Sequence, residues 1–427
     1  MQTIVQTKQG AVEGVLSQDG QTAIFKGVPY AAPPVGELRF RRPQAHAPWE
    51  GVRACKTFGP SCMQADLGAG GFYAKEFYDV PLPPLSEDCL YLNIWTPRDA
   101  TPDSGLPVLF WIHGGAFMHG SGSEKEFDGE GFAHKGVILV TINYRVNAFG
   151  FFAHPELEEE NEQGVSGNYG ILDQIFALGW VRENIGSFGG DPEKITIFGQ
   201  SAGCMSVQTI VSSPLSQGMM RAAILQSGGG IRALHKTPSK EQAWEQGKKL
   251  MDYLHIDTIE ALRQVPAGQL REGAYATGGQ QLGWTPHVDG WMLQGDVDQL
   301  AESGAIHDIV YMIGSLGDDI GGQTTLQEAG ARWCENLLKL GRAPGYHYLF
   351  DRKLPGDDAG AFHSGELWYV FETQDRCWRP WEEHDRELAR ELSGYWANFA
   401  KNLDPNGEGL PQWPAFTPAH RETKVWQ

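Results

Sequence analysis

A chain of 427 residues with 41% apolar side chains can hold one large α/β domain with insertions, or two or three average ones. Its formal net charge of −19 offers no cationic footprint for a phosphate backbone, which argues against a nucleic-acid partner. No apolar run approaches the roughly eighteen residues of a membrane span, and the six cysteines form no Cys-x-x-Cys pair or zinc-spaced cluster with histidine, so no metal is expected.

The N-terminus, from Met1, goes straight into strand-like alternation without a charged n-region or an apolar h-region. A cytoplasmic protein with reduced thiols is therefore expected, a mature secreted form being the alternative. Residues 3–30 turn at Gln9-Gly10 and Asp19-Gly20 and read as a small antiparallel meander. A proline-rich turn, Gly27 to Gly36, precedes a loop-like stretch reaching about Pro84. Strands are expected at Glu87–Trp95, Leu106–Ile112 and Val137–Asn143, the second and third apolar enough to be buried on both faces. The acidic run Glu156–Glu160 reads as a solvated loop.

From Asn168 the spacing of Ile171, Leu172, Ile175, Leu178 and Val181 predicts a helix, which leads through Gly189-Gly190 into a strand at Ile195–Phe198. Further strands are expected at Ala222–Gln226, Ile309–Ile313 and Tyr346–Phe350, with a variable helical cap over 238–300. A last helix runs from about Trp381 to Lys401, with Leu388, Leu392, Tyr395, Trp396 and Phe399 on one face, and stops before Asp404-Pro405. Buried strands alternating with helices indicate an α/β fold with a mostly parallel central sheet, helices on both faces, and one continuous domain over 1–427.

The chemistry gathers at Gly199-Gln200-Ser201-Ala202-Gly203. Chance would supply Gly-x-Ser-x-Gly about 0.3 times in a chain this rich in glycine, so the flanks decide. Here a buried strand precedes the motif and a helical run, Met205–Val211, follows it. That is the setting of a nucleophile elbow, in which a tight turn holds the serine exposed at the top of a sheet. A serine needs a base, and the base an acid to orient it. In chain order the acid candidates lie in Gly317-Asp318-Asp319, and the base candidate is His363 in Phe362-His363-Ser364-Gly365-Glu366. The other twelve histidines have no comparable loop placement. His113-Gly114-Gly115-Ala116 follows a buried strand and supplies backbone N–H groups for an oxyanion, as does Ala202. Phe117, Trp284, His287, Phe362 and Trp368 lie on loops expected to approach the pocket, where an aromatic lining suits aryl or cinnamoyl esters; each could equally be a core residue.

With these residues in place, the chain resembles the type B carboxylesterase/lipase family of α/β-hydrolases, which includes para-nitrobenzyl esterases, cholinesterases and some feruloyl esterases. The likeness runs end to end: Gly27–Gly36 with Leu38-Arg39-Phe40, Phe58–Cys62, Glu87–Asn93, Asn143-Tyr144-Arg145, Gly167-Asn168 through Asp173-Gln174, Phe188–Pro192, the Ser201 elbow, Gln226-Ser227-Gly228 and His363–Leu367. The resemblance implies hydrolysis of small carboxylic esters through an acyl-enzyme, without a cofactor. It implies Ser201 as nucleophile, His363 as base and Asp319 as acid, with Gly115, Ala116 and Ala202 as oxyanion donors and Ser227 hydrogen-bonding beside the triad.

Departures from the family pattern sharpen these expectations. The acid is usually Glu followed by Gly, whereas here Asp319-Ile320 is one methylene shorter, with Asp318 as the alternative acid. Gln200 stands where Glu is common, and Ala116 replaces a third glycine while keeping its N–H. About two dozen residues separate Asp319 from the helix leading to Tyr346, tens fewer than relatives carry. A cleft open on one side, or one completed by another subunit of a homo-oligomer, is the expectation. Cys62 and Cys89 sit where relatives place a disulfide, though cytosolic residence implies a reduced pair. Two other classes share this fold: adhesion members that bind without catalysis, which typically lose triad residues, and acyltransferases or amidases that use the same triad.

Overall fold

The computed structural model describes residues 3–68, 70–234, 236–279, 282–322 and 324–427. Met1 and Gln2 of the N-terminal alternation, His235 among the histidines, Gln280 and Gln281 of the 238–300 cap, and Gln323 after Asp319 lie outside the described residues. The central sheet contains β1 (Val15–Leu16), β2 (Thr22–Pro29), β3 (Tyr91–Pro97), β4 (Leu106–Ile112), β5 (Ile138–Ile142), β6 (Gly190–Gln200), β7 (Ala222–Gln226), β8 (Val310–Leu316), β9 (Tyr346–Phe350) and β10 (Lys424–Trp426). Their order is β10-β9-β8-β7-β6-β4-β5-β3-β2-β1. From β10 to β5 every neighbouring pair is parallel, and β3, β2 and β1 close the far edge antiparallel.

Among the described residues the α-helices of six residues or more are α1 (Phe72–Phe77), α2 (Tyr169–Asn184), α3 (Ala202–Val211), α4 (Lys240–Leu254), α5 (Ile259–Gln264), α6 (Ala267–Gly278), α7 (Val297–Ser303), α8 (Thr325–Lys339) and α9 (Glu383–Asn402). Strand periodicity sorts side chains onto two faces. In β4, Val108, Phe110 and Ile112 join a core with α2 and α3, while Leu109 and Trp111 join a second core with α9. The five apolar residues expected on one face of α9 all fall in that second core, and a reciprocal cap between Glu382 and Asp385 starts the helix. Leu403, at φ 62°, ends it just before Asp404-Pro405.

Three local expectations are corrected. The meander of residues 3–30 is divided between sheets: Ile4–Gln6 pairs with Ala11–Glu13, which also pairs with Val52–Ala54, whereas β1 and β2 join the central sheet. The stretch before Pro84 carries α1, whose three buried residues, Ala74, Glu76 and Phe77, give it a face to pack. The acidic run is a short helix, Pro155–Glu159, rather than a solvated loop. Its acids hold the cap: Glu160 takes both guanidinium N–H groups of Arg263 at 2.6 Å, and Glu158 pairs with Lys240 at 3.3 Å. Tertiary charge pairing, invisible in a run of glutamates, decides their conformation. Among the described residues no helix is long and apolar enough to cross a membrane.

Candidate active site

β6 ends at Gln200 and α3 begins at Ala202, leaving Ser201 alone in the turn at φ 58°, ψ −126°. This conformation is costly for a residue with a Cβ and persists only where the surroundings over-determine it. Two contacts show why the flanking residues are glycines. A Cβ on Gly203 would lie 2.0 Å from the Ile112 carbonyl oxygen, and one on Gly199 would lie 2.5 Å from the backbone of Gly203. The strand and the helix touch backbone to backbone. The Ser201 N–H donates to Gln226 at the end of β7 (2.9 Å), and the Ser227 N–H donates to Gly314 in β8 (2.9 Å), so three strand ends are tied together under the serine.

His363 Nδ1 donates to Asp319 Oδ1 at 2.5 Å. Asp319 is oriented in turn by the N–H groups of Leu316 and Ile320, both at 2.9 Å. Asp318, the alternative acid, faces elsewhere: its carboxylate takes the Lys353 ammonium at 2.6 Å and the Ala361 N–H at 2.9 Å, which together hold its carboxyl below the usual range. The shorter aspartate reaches the histidine because the two chain segments run together, Asp318 and Phe362 forming a parallel bridge. The Gln200 side-chain amide stands 3.2 Å from His363 Nε2, and its oxygen accepts from the Ser364 hydroxyl at 3.0 Å. Beneath the pair, Glu366 is fully buried, and burial, aided by the charge of Asp319, pushes its carboxyl up to about 8. Ser227 is buried with a hydroxyl that has no hydrogen-bond partner, so the expected hydrogen bond beside the histidine is not formed.

Ser201, His363, Gly115, Ala116, Ala202 and Ser227 all line one cavity of about 640 Å³. Gly115 (φ 99°) and Ala116 (φ 54°) turn in left-handed conformations after β4. Ala202, as the first residue of α3, has an N–H without a partner inside the helix. Beside them, burial drives the imidazoles of His113 and His119 down to about 3 and about 4, so both are neutral at ordinary pH. Among the described residues no group of three His, Cys, Asp or Glu is arranged to hold a metal ion.

The expected aromatic lining is corrected. Trp284 and His287 are buried away from this cavity: Trp284 donates to Ala274 within the cap, and the His287 backbone is held by Asn168. Phe117 packs on Phe151 and lines a small cavity of about 30 Å³ that shares Met205 and Gly228 with the larger one. Phe362 packs edge-on against Phe72, and Trp368 donates to the buried carboxylate of Glu76. Position on a nearby loop does not say which way a ring points, and these rings turn to the core. The wall is lined instead by Phe72, Tyr73, Phe77, Tyr78 and Phe127, with Tyr275 from α6. Four of the six lie in the loop closed by a disulfide between Cys62 and Cys89, a pair expected to be reduced. Aromatic pairs at Phe72-Tyr73 and Phe77-Tyr78, inside a cysteine-bracketed stretch, were the signal available in the chain.

This loop is fastened to the histidine side. Tyr73 donates to the His363 carbonyl at 3.2 Å. Glu76 accepts from Trp368, Trp378 and Arg379 at 2.8 to 3.0 Å. On the opposite side α8 begins at Thr325, six positions after Asp319 (325 − 319), much closer than the two dozen residues expected. Ile320 in this short connection lines the cavity and is 42% exposed.

The Carboxylesterase family profile matches residues 1–331 and 323–425. The para-nitrobenzyl esterase of Bacillus subtilis (strain 168) is 34% identical over 99% of this chain and 94% of its own length. A fumonisin B1 esterase of Sphingopyxis macrogoltabida is 41% identical over 73% of this chain, although the match spans only 55% of that protein. Among solved structures, a para-nitrobenzyl esterase superposes with a TM-score of 0.87 at 30% identity, covering 100% of this chain and 96% of that one. A carboxylesterase of Geobacillus stearothermophilus superposes at 0.84 with 34% identity, covering 99% and 96%. Strained serine, paired histidine and sheet order agree with these likenesses, and the chain belongs to the carboxylesterase family, a carboxylic ester hydrolase of the α/β-hydrolase fold.

Proposed function

We propose that the chain hydrolyses small carboxylic esters through an acyl-enzyme formed on Ser201. The observation that carries this reading is the strained Ser201 facing the same cavity as a His363 held 2.5 Å from Asp319. Ser201 Oγ attacks the ester carbonyl as His363 Nε2 takes its proton, and Asp319 holds Nδ1–H so that Nε2 carries the lone pair. The N–H groups of Gly115, Ala116 and Ala202 receive the oxyanion, each donor contributing about 3 kcal/mol to the barrier reduction. His363 then protonates the leaving alcohol, and water repeats the sequence on the acyl-enzyme to release the acid. The Gln200 amide, 3.2 Å from Nε2, donates to its lone pair until substrate arrives.

A cavity of about 640 Å³ lined by six Phe and Tyr rings suits an ester with an aryl or cinnamoyl portion. Ser201→Ala is expected to lower kcat for p-nitrophenyl butyrate by about 10⁴–10⁶-fold without moving the urea midpoint. Turnover near that of the wild type would sink the proposal.

A further inference from the structure

A groove of about 480 Å³ runs along α2 and shares no lining residue with the cavity of Ser201. Its floor is a stripe of α2 residues three and four positions apart, Leu172, Ile175, Phe176, Gly179 and Trp180, which helical spacing puts on one face. Met219 and Trp291 close it from other segments. Arg42 stands toward the first turn of α2, where Arg145, bound to Asp173, donates to the carbonyl of Arg41 at 2.8 Å. Toward the far end Trp180 donates to Gln9 at 3.0 Å, and Glu183 pairs with Lys8 at 3.6 Å. The apolar stripe between the two ends is about 12 Å long.

Two features of this groove have no partner within the fold. Glycine is unfavourable inside a helix, yet Gly179 lies well within α2, and a Cβ there would meet nothing within 4 Å beyond the helix's own backbone. Space is thus left on the floor at a position where alanine would strengthen the helix. Arg42 is half-buried and lies over the Trp291 ring, 5.2 Å from its centre. Among the described residues its guanidinium makes no hydrogen bond or ion pair, although Arg39 and Arg41 beside it meet Glu87 at 2.6 Å and Glu160 at 3.1 Å. A partly desolvated guanidinium is matched best by a carboxylate, which accepts two parallel N–H bonds from it. We propose that the groove binds a free long-chain carboxylate, its chain lying along α2 over Gly179 and its head group accepting from the Arg42 guanidinium. In the ester cavity the same ligand meets like charge, since Asp66, Glu124 and Glu126 line it and, among the described residues that do so, there is no Lys or Arg. The site stands apart from ester hydrolysis, although its ligand is of the class that hydrolysis of a fatty ester releases.

The test is calorimetric titration of the full chain with sodium decanoate. The wild type is expected to bind at one site per chain. Arg42→Gln should weaken binding by about tenfold or more. Gly179→Leu, whose side chain fills the floor, should abolish it while leaving the urea midpoint no lower than that of the wild type. Decanoate held in the ester cavity instead would bind both variants as it binds the wild type. No binding by the wild type, or wild-type affinity in either variant, would overturn the site. Should Gly179→Leu not fold, Arg42→Gln decides with 1-decanol as the neutral control, and decanol binding as tightly as decanoate would overturn the pairing. Sedimentation supplies the last check: a wild-type dimer that Gly179→Leu converts to a monomer would mean that a second copy of the chain covers the groove, which also refutes the proposal.

Discussion

The two walls of the cavity are built by different means. On one side, Ser201, Gly115 and Ala116 sit at the ends of neighbouring parallel strands, and backbone contacts at Gly199 and Gly203 leave the turn little freedom. On the other, the rings from Phe72 to Tyr78 hang from a loop held by a disulfide, one tyrosine hydroxyl and one buried glutamate. The strand-end wall draws its precision from the sheet itself, whereas the loop wall draws it from a few long-range ties. Reaction geometry is thus separated from substrate shape. The loop can change its lining without moving the serine.

Substitutions on each side should break this comparison differently, the largest effect falling on the strand-end side. Asp319→Asn is expected to lower kcat by about 10³–10⁴-fold with KM little changed, because the amide favours the wrong imidazole tautomer. Asp318→Asn, whose carboxylate faces Lys353, should stay within about threefold of the wild type. Steady-state kinetics on p-nitrophenyl butyrate would check both, and the reverse ranking would move the acid to Asp318.

On the loop side the expected loss is of binding and stability rather than chemistry. Glu76→Gln removes one of the two charged partners of the Arg379 guanidinium, the carboxylate 2.8 Å away, and leaves Asp357 as the other, also at 2.8 Å, at an expected cost of about 2–3 kcal/mol. KM should rise more than kcat falls, as α1 and its rings loosen. A urea midpoint unchanged from the wild type would show that the loop is held without this contact.

The smallest effect is pH-linked and belongs to the floor of the site. Glu366 has its carboxyl raised to about 8 by burial and by Asp319, with Gln226 donating to it at 3.3 Å and opposing the shift. Because the folded state binds this proton more tightly than the unfolded chain, its contribution is fully present below the ordinary carboxyl range near 4.5 and is lost as pH rises to about 8. Glu366→Gln removes that loss. Between pH 5 and pH 8 the urea-derived stability of the variant should therefore gain on the wild type, by about 1–3 kcal/mol. A gap independent of pH would mean that Glu366 ionises normally.

Much of the strand-end wall was legible in the chain. Gly-x-Ser-x-Gly between a β-branched run and a helical one, a Gly-Gly turn after Leu106–Ile112, and a histidine on a late loop are each local patterns of strand, turn and helix. The order of the buried strands, the α2 and α9 helices and the choice of His363 followed from them. Register was set by alternation, since a slip of one residue in β4 would exchange Phe110 and Trp111 between the two cores.

The loop wall was not legible, and its errors share one cause. Phe117, Trp284, His287, Phe362 and Trp368 were expected at the pocket because they lie near it along the chain, yet they turn into the core. Whether a ring faces substrate or interior depends on partners far away in sequence, such as Glu76 beside Trp368, 292 residues on. The acid followed the same logic: the chain offered Asp318 and Asp319, and only the approach of the Phe362 segment showed which one faces His363. The sequence by itself determined the strands, the elbow and the order of the chemical groups, because these depend on local periodicity and turn sterics. Tertiary structure decided the disulfide, the aromatic wall and the groove between Arg42 and α2, because each is a contact between segments that no local pattern brings together.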